Sequence, residues 1–182
     1  MRNSRKKKDD LALASWENSS VDISKQGLEI RSVRKREHFL FNLLNFLYFR
    51  RADGVRFLME GGPFGIFVVI PYVALSEIYF FKQWRYFIVL EHQVVGVLAL
   101  REEIRTLYIS SLAVSPHCRR IGIATYALNH AAAIASKLCK EALELAVLKK
   151  NTPAVRLYER HGYRVEEEKR RSIILKKQIM KP

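Results

Sequence analysis

The sequence has 182 residues, of which 49% are hydrophobic and 27% are charged. That length suffices for one domain with a buried core, and the composition is typical of a soluble globular chain and excludes a disordered one. The formal net charge is +14; residues 1–10 hold five basic and two acidic residues, so they account for only +3 of it. Such basicity favours an anionic partner (nucleic acid, a ribosome, anionic lipid or an anionic cofactor), although it also occurs in proteins that it merely keeps soluble.

Cysteine usage and targeting patterns indicate a cytoplasmic protein. Cys118 and Cys139 are predicted to lie in one helix, so no disulfide framework is expected. The five histidines are scattered and none pairs with a CxxC, so no metal site is expected either. The basic N-terminus is not followed by an apolar stretch, which excludes a secretory signal. The apolar run 64–81 is interrupted by Pro71 and Glu77 and is shorter than the ~20 apolar residues of a membrane-spanning helix. It is predicted to be a buried element, with a dimer or membrane-surface face as the alternative.

The chain is predicted to divide into an N-terminal tail and one domain. Residues 1–26 are polar and basic and are predicted to be a mobile segment, whereas residues 27–182 are predicted to form a single domain. Apolar residues within 28–33 indicate a first strand. The spacing of apolar residues from 37 to 50 predicts a helix.

The middle of the chain is rich in strand patterns. Residues 85–91 and 94–100 are predicted to pair as a hairpin across the polar link formed by His92 and Gln93. A third strand is predicted over 106–114, where Pro116 prevents its continuation.

The last third of the chain alternates helix and strand. An alanine-rich helix is predicted over 120–138 and a strand over 142–148. Thr152 as N-cap, with Pro153 at the first helical position, opens a helix that Gly162 closes. A closing hairpin is predicted from 163–168 and 172–179. This mixed α/β order defines no function by itself.

The segment 112–125 has the pattern of an anion site. A strand ends at a proline, a short basic turn follows, and a helix begins with Gly-x-Ala. The first N–H groups of such a helix are unpaired and carry the positive end of its dipole, which suits a diphosphate. Gly122 permits close approach of the backbone, and Arg119 and Arg120 add charge. A plain strand-to-helix turn with surface arginines explains this segment equally well, whereas Walker and dinucleotide-binding loops are excluded by spacing.

Two spaced motifs give the chain a resemblance to a known family. The run V-x-P-x-x-R-x-x-G-x-A, from Val114 to Ala124, resembles the acetyl-CoA motif of the GNAT acetyltransferases. The run N-x-x-A-x-x-L-Y-x-x-x-G-Y, from Asn151 to Tyr163, resembles a second motif of the same family. The resemblance covers 84–168 well and the preceding part of the domain only in element order. It implies an α+β fold with a mixed, mostly antiparallel central sheet flanked by helices.

The resemblance also implies a site for acetyl-CoA. In the family the strands that correspond to 107–114 and 142–148 part, and the pantetheine arm lies between them. Tyr158 occupies the position of the family's general acid. The resemblance implies three groups of cofactor-binding residues. The main chain of Leu112, Ala113 and Val114 would bind the arm and the acetyl carbonyl, and Asn151 and Tyr158 would lie beside the cofactor. The diphosphate would be bound by Arg119, Arg120, Ile121, Gly122, Ile123, Ala124 and Thr125.

The general base is unassigned. An amine with a pKa near ~10.4 is mostly protonated at neutral pH, so a proton must be removed before it can attack a thioester. Family members carry a glutamate where this chain has Tyr108 or Ala146. The candidates that remain are Glu144, Glu103, Glu102 and Tyr108 itself.

Three hypotheses of function follow. The leading one is an enzyme that transfers the acetyl group of acetyl-CoA directly to a primary amine (a protein N-terminus, a lysine or a small amine) in a ternary complex. The second is a GNAT-like module that binds acyl-CoA without turnover. The third is a basic domain that docks on RNA or a ribosome. A homodimer is left open.

Overall fold

A computed structural model describes residues 27–49 and 83–179, with side chains up to residue 45 in the first range. Strands and helices are numbered here in chain order within those ranges. The elements are β1 (Leu28–Ser32), α1 (His38–Phe49), β2 (Gln83–Leu90), β3 (Gln93–Glu102), β4 (Thr106–Val114), α2 (Ile123–Lys137), β5 (Ala142–Leu148), α3 (Thr152–Arg160), β6 (Arg164–Glu168) and β7 (Ser172–Gln178). The predicted element order is confirmed there; the segment 1–26 and the run 64–81 lie outside the described residues.

The strands form one seven-stranded sheet in the order β1-β2-β3-β4-β5-β7-β6. Neighbouring strands are antiparallel except β4 and β5, which are parallel. A parallel pair needs a crossover connection, and α2 supplies it. The predicted mixed, mostly antiparallel sheet is therefore confirmed.

Strand alternation gives the sheet two apolar faces, and each is covered by helix. On one face α2 and α3 pack over a large cluster that includes Leu143, Leu145 and Tyr158. On the other face α1 packs over a smaller cluster around Phe41 and Phe87. No helix in the described ranges is long and apolar enough to cross a membrane.

Strands β4 and β5 part halfway along their length. Their pairing begins at Thr106 with Ala142 and stops at Ile109 with Leu145. The next residue, Ser110, is an extra residue of β4 in its register with β3, that is, a β-bulge. Bulges bend the strand that carries them, which accounts for the parting at this point. Beyond it the two strands leave an open gap that no described strand fills.

The turn between β2 and β3 lies one residue earlier than predicted. Its two residues are Glu91 and His92, with φ of +48° and +66°, and Gln93 already belongs to β3. Two left-handed residues give the turn a twist that matches that of the flanking strands. The hairpin is confirmed, but the turn lacks the Asn-Gly signal that locates such turns in a sequence.

The predicted helix over 120–138 is too long at its beginning. Arg120 and Gly122 have φ of +65° and +93°, which no right-handed helix accommodates, so α2 begins at Ile123. The prediction that both cysteines lie in this helix is wrong. Cys118 belongs to a 3₁₀ turn, and Cys139 follows the helix with φ of +54°.

The beginning of α3 also differs from its prediction. The N-cap is Asn151, whose side chain makes no capping bond, and Thr152 is the first helical residue. Pro153 is the second, where its missing N–H costs nothing because first-turn donors have no helical partner. The predicted end is confirmed: His161 is the C-cap and Gly162 follows with φ of +82°.

Candidate active site

Main-chain groups of β4 face the gap between β4 and β5. Ser115 N–H donates to Val95 O of β3 at 2.7 Å. Because main-chain groups alternate along a strand, those of Val114 and Leu112 point away from β3, toward the gap. Arg119 Nε donates to Val114 O at 3.0 Å. The N–H groups of Leu112 and Val114 are thus directed at the gap, where they can meet a carbonyl oxygen on which negative charge develops.

The turn before α2 has the geometry of an anion nest. Arg120 and Gly122 are left-handed, and Ile121 between them is not. This alternation points successive N–H groups into one concavity, which favours an anion. Arg119 and Arg120 are both exposed, as predicted, and Arg119 also fixes the carbonyl of Val114 through its Nε.

The beginning of α2 provides further donors. Gly122 is the N-cap and no side chain caps the helix. Tyr126 N–H donates to Gly122 O at 3.0 Å and closes the first helical turn. The N–H groups before it have no partner within the helix, and they carry the positive end of its dipole. They belong to Ile123, Ala124 and Thr125.

Tyr158, in α3, belongs to the apolar cluster that also contains Val114 and Ile123. Its side chain is 8% exposed, and its ring meets the ring of Tyr163 edge-on with centroids 5.6 Å apart. Burial raises the pKa of Tyr158 to about 12 and raises the pKa of Tyr163 as well. Tyr158 therefore keeps its proton at neutral pH, as a general acid must. Asn151, at the beginning of α3, is exposed and its side chain is not used as a cap.

One side-chain contact joins the two motif segments. Thr125 Oγ1, in the first turn of α2, lies 3.0 Å from His161 Nε2 at the end of α3. Burial lowers the pKa of His161, and the positive charges of Lys177 and Arg160 lower it further. The sequence analysis did not single out His161, and its contact with the turn was missed.

Two candidates for the base lie far from the gap. Glu102 is bonded to Lys140 Nζ at 2.8 Å, and Glu103 to Arg101 Nε at 2.6 Å. Both precede the first residue of β4, whereas Leu112 lies six residues into that strand, about 20 Å further at the usual rise per residue. The structure does not bring Glu102 or Glu103 together with the gap.

Glu144 lies at the edge of the gap. It pairs with Tyr108 across β4 and β5, one position before the pairing ends. Its neighbours Leu143 and Leu145 lie in the same cluster as Tyr158, so Glu144 projects from the opposite face of the sheet. Its carboxylate is half-buried and makes no hydrogen bond or ion pair within the described residues.

Cations around Glu144 are engaged elsewhere. The guanidinium of Arg101 lies 4.8 Å from the centroid of the Tyr108 ring. Lys176, the register neighbour of Glu144 on β7, donates to Glu166 at 2.9 Å. Neither cation is paired with the Glu144 carboxylate within the described residues.

A buried polar contact fixes α1 beside the gap. Ser111 Oγ donates to Asn45 Oδ1, and both side chains are almost fully buried. The sequence analysis did not single out either residue. An asparagine on the apolar face of α1 was the available signal, because a buried amide requires a partner. Within the ranges 27–49 and 83–179, no three His, Cys, Asp or Glu side chains are grouped as metal ligands.

Comparisons with known proteins define the class. The family model "Acetyltransferase (GNAT) family" matches residues 64–163, more than half of the chain. The chain therefore belongs to the GNAT acetyltransferase family. No curated protein matches it in sequence.

Solved structures share the fold at low sequence identity. The PaiA N-acetyltransferase of Thermoplasma acidophilum, in complex with coenzyme A, is 14% identical with a TM-score of 0.67, over 84% of this chain and 99% of that one. A GNAT acetyltransferase of Elizabethkingia anophelis with acetyl-CoA bound is 14% identical with a TM-score of 0.59, over 84% and 98%. One from Staphylococcus aureus Mu50 is 12% identical with a TM-score of 0.61, over 85% and 100%.

Proposed function

We propose that this enzyme transfers the acetyl group of acetyl-CoA directly to a primary amine bound in a ternary complex. The observation that carries the proposal is the gap between β4 and β5, which opens beside the uncapped beginning of α2. One end of this gap offers main-chain N–H donors for a carbonyl oxygen, and the other end offers an anion nest. A thioester on a long arm that ends in a diphosphate matches both.

The residues present fit acetyl-CoA. The turn from Arg120 to Gly122 and the first N–H groups of α2 would hold the diphosphate. The N–H groups of Leu112 and Val114 would bind the acetyl carbonyl. Two of the structural neighbours contain coenzyme A or acetyl-CoA, which supports the same ligand here.

The reaction assigns different tasks to the two faces of the sheet. Transfer joins the acceptor nitrogen to the acetyl carbon and breaks the C–S bond; one proton leaves the nitrogen and one reaches the sulfur. Tyr158, on the face covered by α2 and α3, would give its proton to the departing sulfur. An N–H of β4 directed at the developing oxyanion would contribute about 3 kcal/mol to the transition state.

We further propose Glu144 as the base, acting on the acceptor amine from the opposite face. It combines an unpaired carboxylate with a position one residue before the last pair of β4 and β5. Glu102 and Glu103 have neither property. Tyr108, its register partner, would line the approach of the amine.

Binding and turnover are tested separately. Isothermal titration with acetyl-CoA is expected to give one site per chain, with an affinity that decreases as salt is added because the ligand is anionic. Thiol release is then followed with a panel of peptide N-termini, lysine peptides and small amines. At least one amine class should support turnover.

The outcomes distinguish the three hypotheses. Binding without turnover on any amine would leave an acyl-CoA-binding module, and no binding would refute the cofactor assignment. Retention on RNA in place of acetyl-CoA binding would favour the docking domain.

A further inference from the structure

We propose that His161 is a positioning residue that holds the diphosphate-binding turn through Thr125 and makes acetyl-CoA affinity depend on its own protonation. The inference rests on the proposed function, because it concerns the same cofactor. It adds a residue outside the groups that would bind acetyl-CoA.

Thr125 is held through its side chain, and its main-chain N–H is left free. Thr125 is the third residue of α2, so its N–H is one of the donors left free for an anion. Its hydroxyl lies 3.0 Å from His161 Nε2. Threonine is β-branched and stiff at χ1, so holding the hydroxyl also restrains the backbone to which it is attached.

His161 is itself anchored to the turn of α3 that carries Tyr158. As C-cap, its N–H donates to Leu157 O at 3.2 Å and to Tyr158 O at 3.0 Å. Displacing the imidazole would therefore loosen the beginning of α2 without removing any group that contacts the ligand. A diphosphate held by a loosened nest binds less tightly, which raises KM and leaves kcat unchanged.

The charges that face the ring explain its response to pH. Lys177 on β7 and Arg160 on α3 are the cations beside it, and on α2 the ring meets Thr125, which does not titrate. Burial and these cations lower the pKa of His161, so the ring is neutral near pH 7. A diphosphate beside Thr125 brings negative charge that favours the imidazolium. Binding then takes up a proton, and affinity increases as the pH falls toward the lowered pKa of His161.

Titration of acetyl-CoA between pH 5.5 and 8.0 tests the proposal on wild type, His161→Phe and His161→Gln. Relative to His161→Gln, wild-type affinity is expected to increase about three- to tenfold as pH falls through this range, since one unit of pKa change corresponds to a factor of ten. At pH 7.5 His161→Phe should raise KM for acetyl-CoA about tenfold with kcat unchanged, and His161→Gln, which keeps a hydrogen-bonding group, should recover most of that loss. Protonation of the ligand's phosphates affects the wild type and both variants equally, so it cancels in the ratio of their affinities.

Controls separate this role from general structural damage. His130 lies on α2, and its pKa is likewise lowered, by burial and then by Lys137, but its ring packs against Tyr86 with centroids 5.4 Å apart. His130→Gln should keep the wild-type pH dependence. Thr125→Val should reproduce the KM effect of His161→Phe, and the two should not add when combined.

The results that would overturn the inference are distinct from those that would refute the function. If wild type binds acetyl-CoA and His161→Phe binds equally well at every pH, the positioning role is wrong. A loss confined to kcat, or additive effects of Thr125→Val and His161→Phe, would overturn it too. Failure of wild type to bind at all would refute the proposed function, and this inference with it.

Discussion

At the scale of single residues, Tyr158 and Tyr163 form a matched pair. Their rings touch, yet only Tyr158 belongs to the proposed chemistry, while Tyr163 Oη is buried without a hydrogen-bond partner among the described residues. Tyr158→Phe is expected to lower kcat about 10²- to 10⁴-fold, the usual contribution of proton donation, with little change in the Kd of acetyl-CoA. Steady-state kinetics and titration measure the two quantities.

The matched control is Tyr163→Phe, which removes an unsatisfied hydroxyl. It should keep wild-type kcat and increase the free energy of unfolding by about 1 kcal/mol in urea denaturation. Equal rates for Tyr158→Phe and wild type would exclude Tyr158 as the acid.

Glu144→Gln tests the proposed base. The amide cannot accept the amine proton, so kcat/KM for the acceptor should fall at least 100-fold at pH 7 and the deficit should shrink at high pH, where the amine is already neutral. Glu103→Gln, which changes a carboxylate ion-paired with Arg101, should retain the wild-type pH profile. The reverse pattern would transfer the role to Glu103.

Some of these residues could be predicted from the sequence and others could not, for physical reasons. Tyr158 and Asn151 followed from a motif because their spacing within one helix and its cap is local. Glu144 could only be one candidate among several, because its suitability as a base depends on its strand register with Tyr108 and on which other carboxylates are paired with cations. The contact between Thr125 and His161 joins positions 36 apart in the chain, and no local pattern encodes it.

At the scale of elements, the packing of β3 against β4 constrains the site. A Cβ added to Gly96 would lie 2.9 Å from Ala113 O and 3.0 Å from Ile88 Cδ1. Gly96→Ala should therefore destabilise the protein by about 1–3 kcal/mol and displace the strand that carries Leu112. Thermal unfolding should show the loss of stability, and KM for acetyl-CoA should rise.

Gly27→Ala is the control for that substitution. Gly27 has φ of +68° and nothing within 4 Å of an added Cβ, so alanine there introduces backbone strain only. It should lower stability and leave KM unchanged. If Gly96→Ala left both stability and KM at wild-type values, the close contact with Ala113 would not constrain β4.

Element types were predictable from periodicity, whereas several boundaries were not. β4 and β5 were predicted with the bounds that the structure has, because apolar runs bounded by turn residues are a strong local signal. The beginning of α2 was misplaced because Arg120 adopts a left-handed conformation that its residue type disfavours. The bulge at Ser110, which opens the gap, is a property of register with β3 and has no residue signature.

At the scale of the whole molecule, we propose that residues 27–182 form a single domain. The two described ranges share one sheet, since β1 pairs with β2 and α1 packs on β3 and β4. Limited proteolysis is expected to leave a resistant fragment that contains both ranges.

The pH dependence of stability follows from two histidines. The pKa values of His130 and His161 are lowered in the folded protein, chiefly by burial. A lowered pKa means that the unfolded chain binds more protons, so the free energy of unfolding should decrease as pH falls from about 7 to 5. Urea denaturation across that range should give a shallower decline for His130→Gln combined with His161→Gln. An unchanged slope would show that other groups dominate.

The separation of β4 and β5 also affects which positions of this enzyme's sequence can change during evolution. A binding site made largely from main-chain groups does not specify side chains, so most positions around it are free to change while the backbone path is retained. The exceptions are positions limited by space or by φ, such as Gly96 and Gly122. Acceptor preference can therefore change through side chains that border the opening, such as Tyr108, while the main-chain groups proposed to bind acetyl-CoA keep their positions.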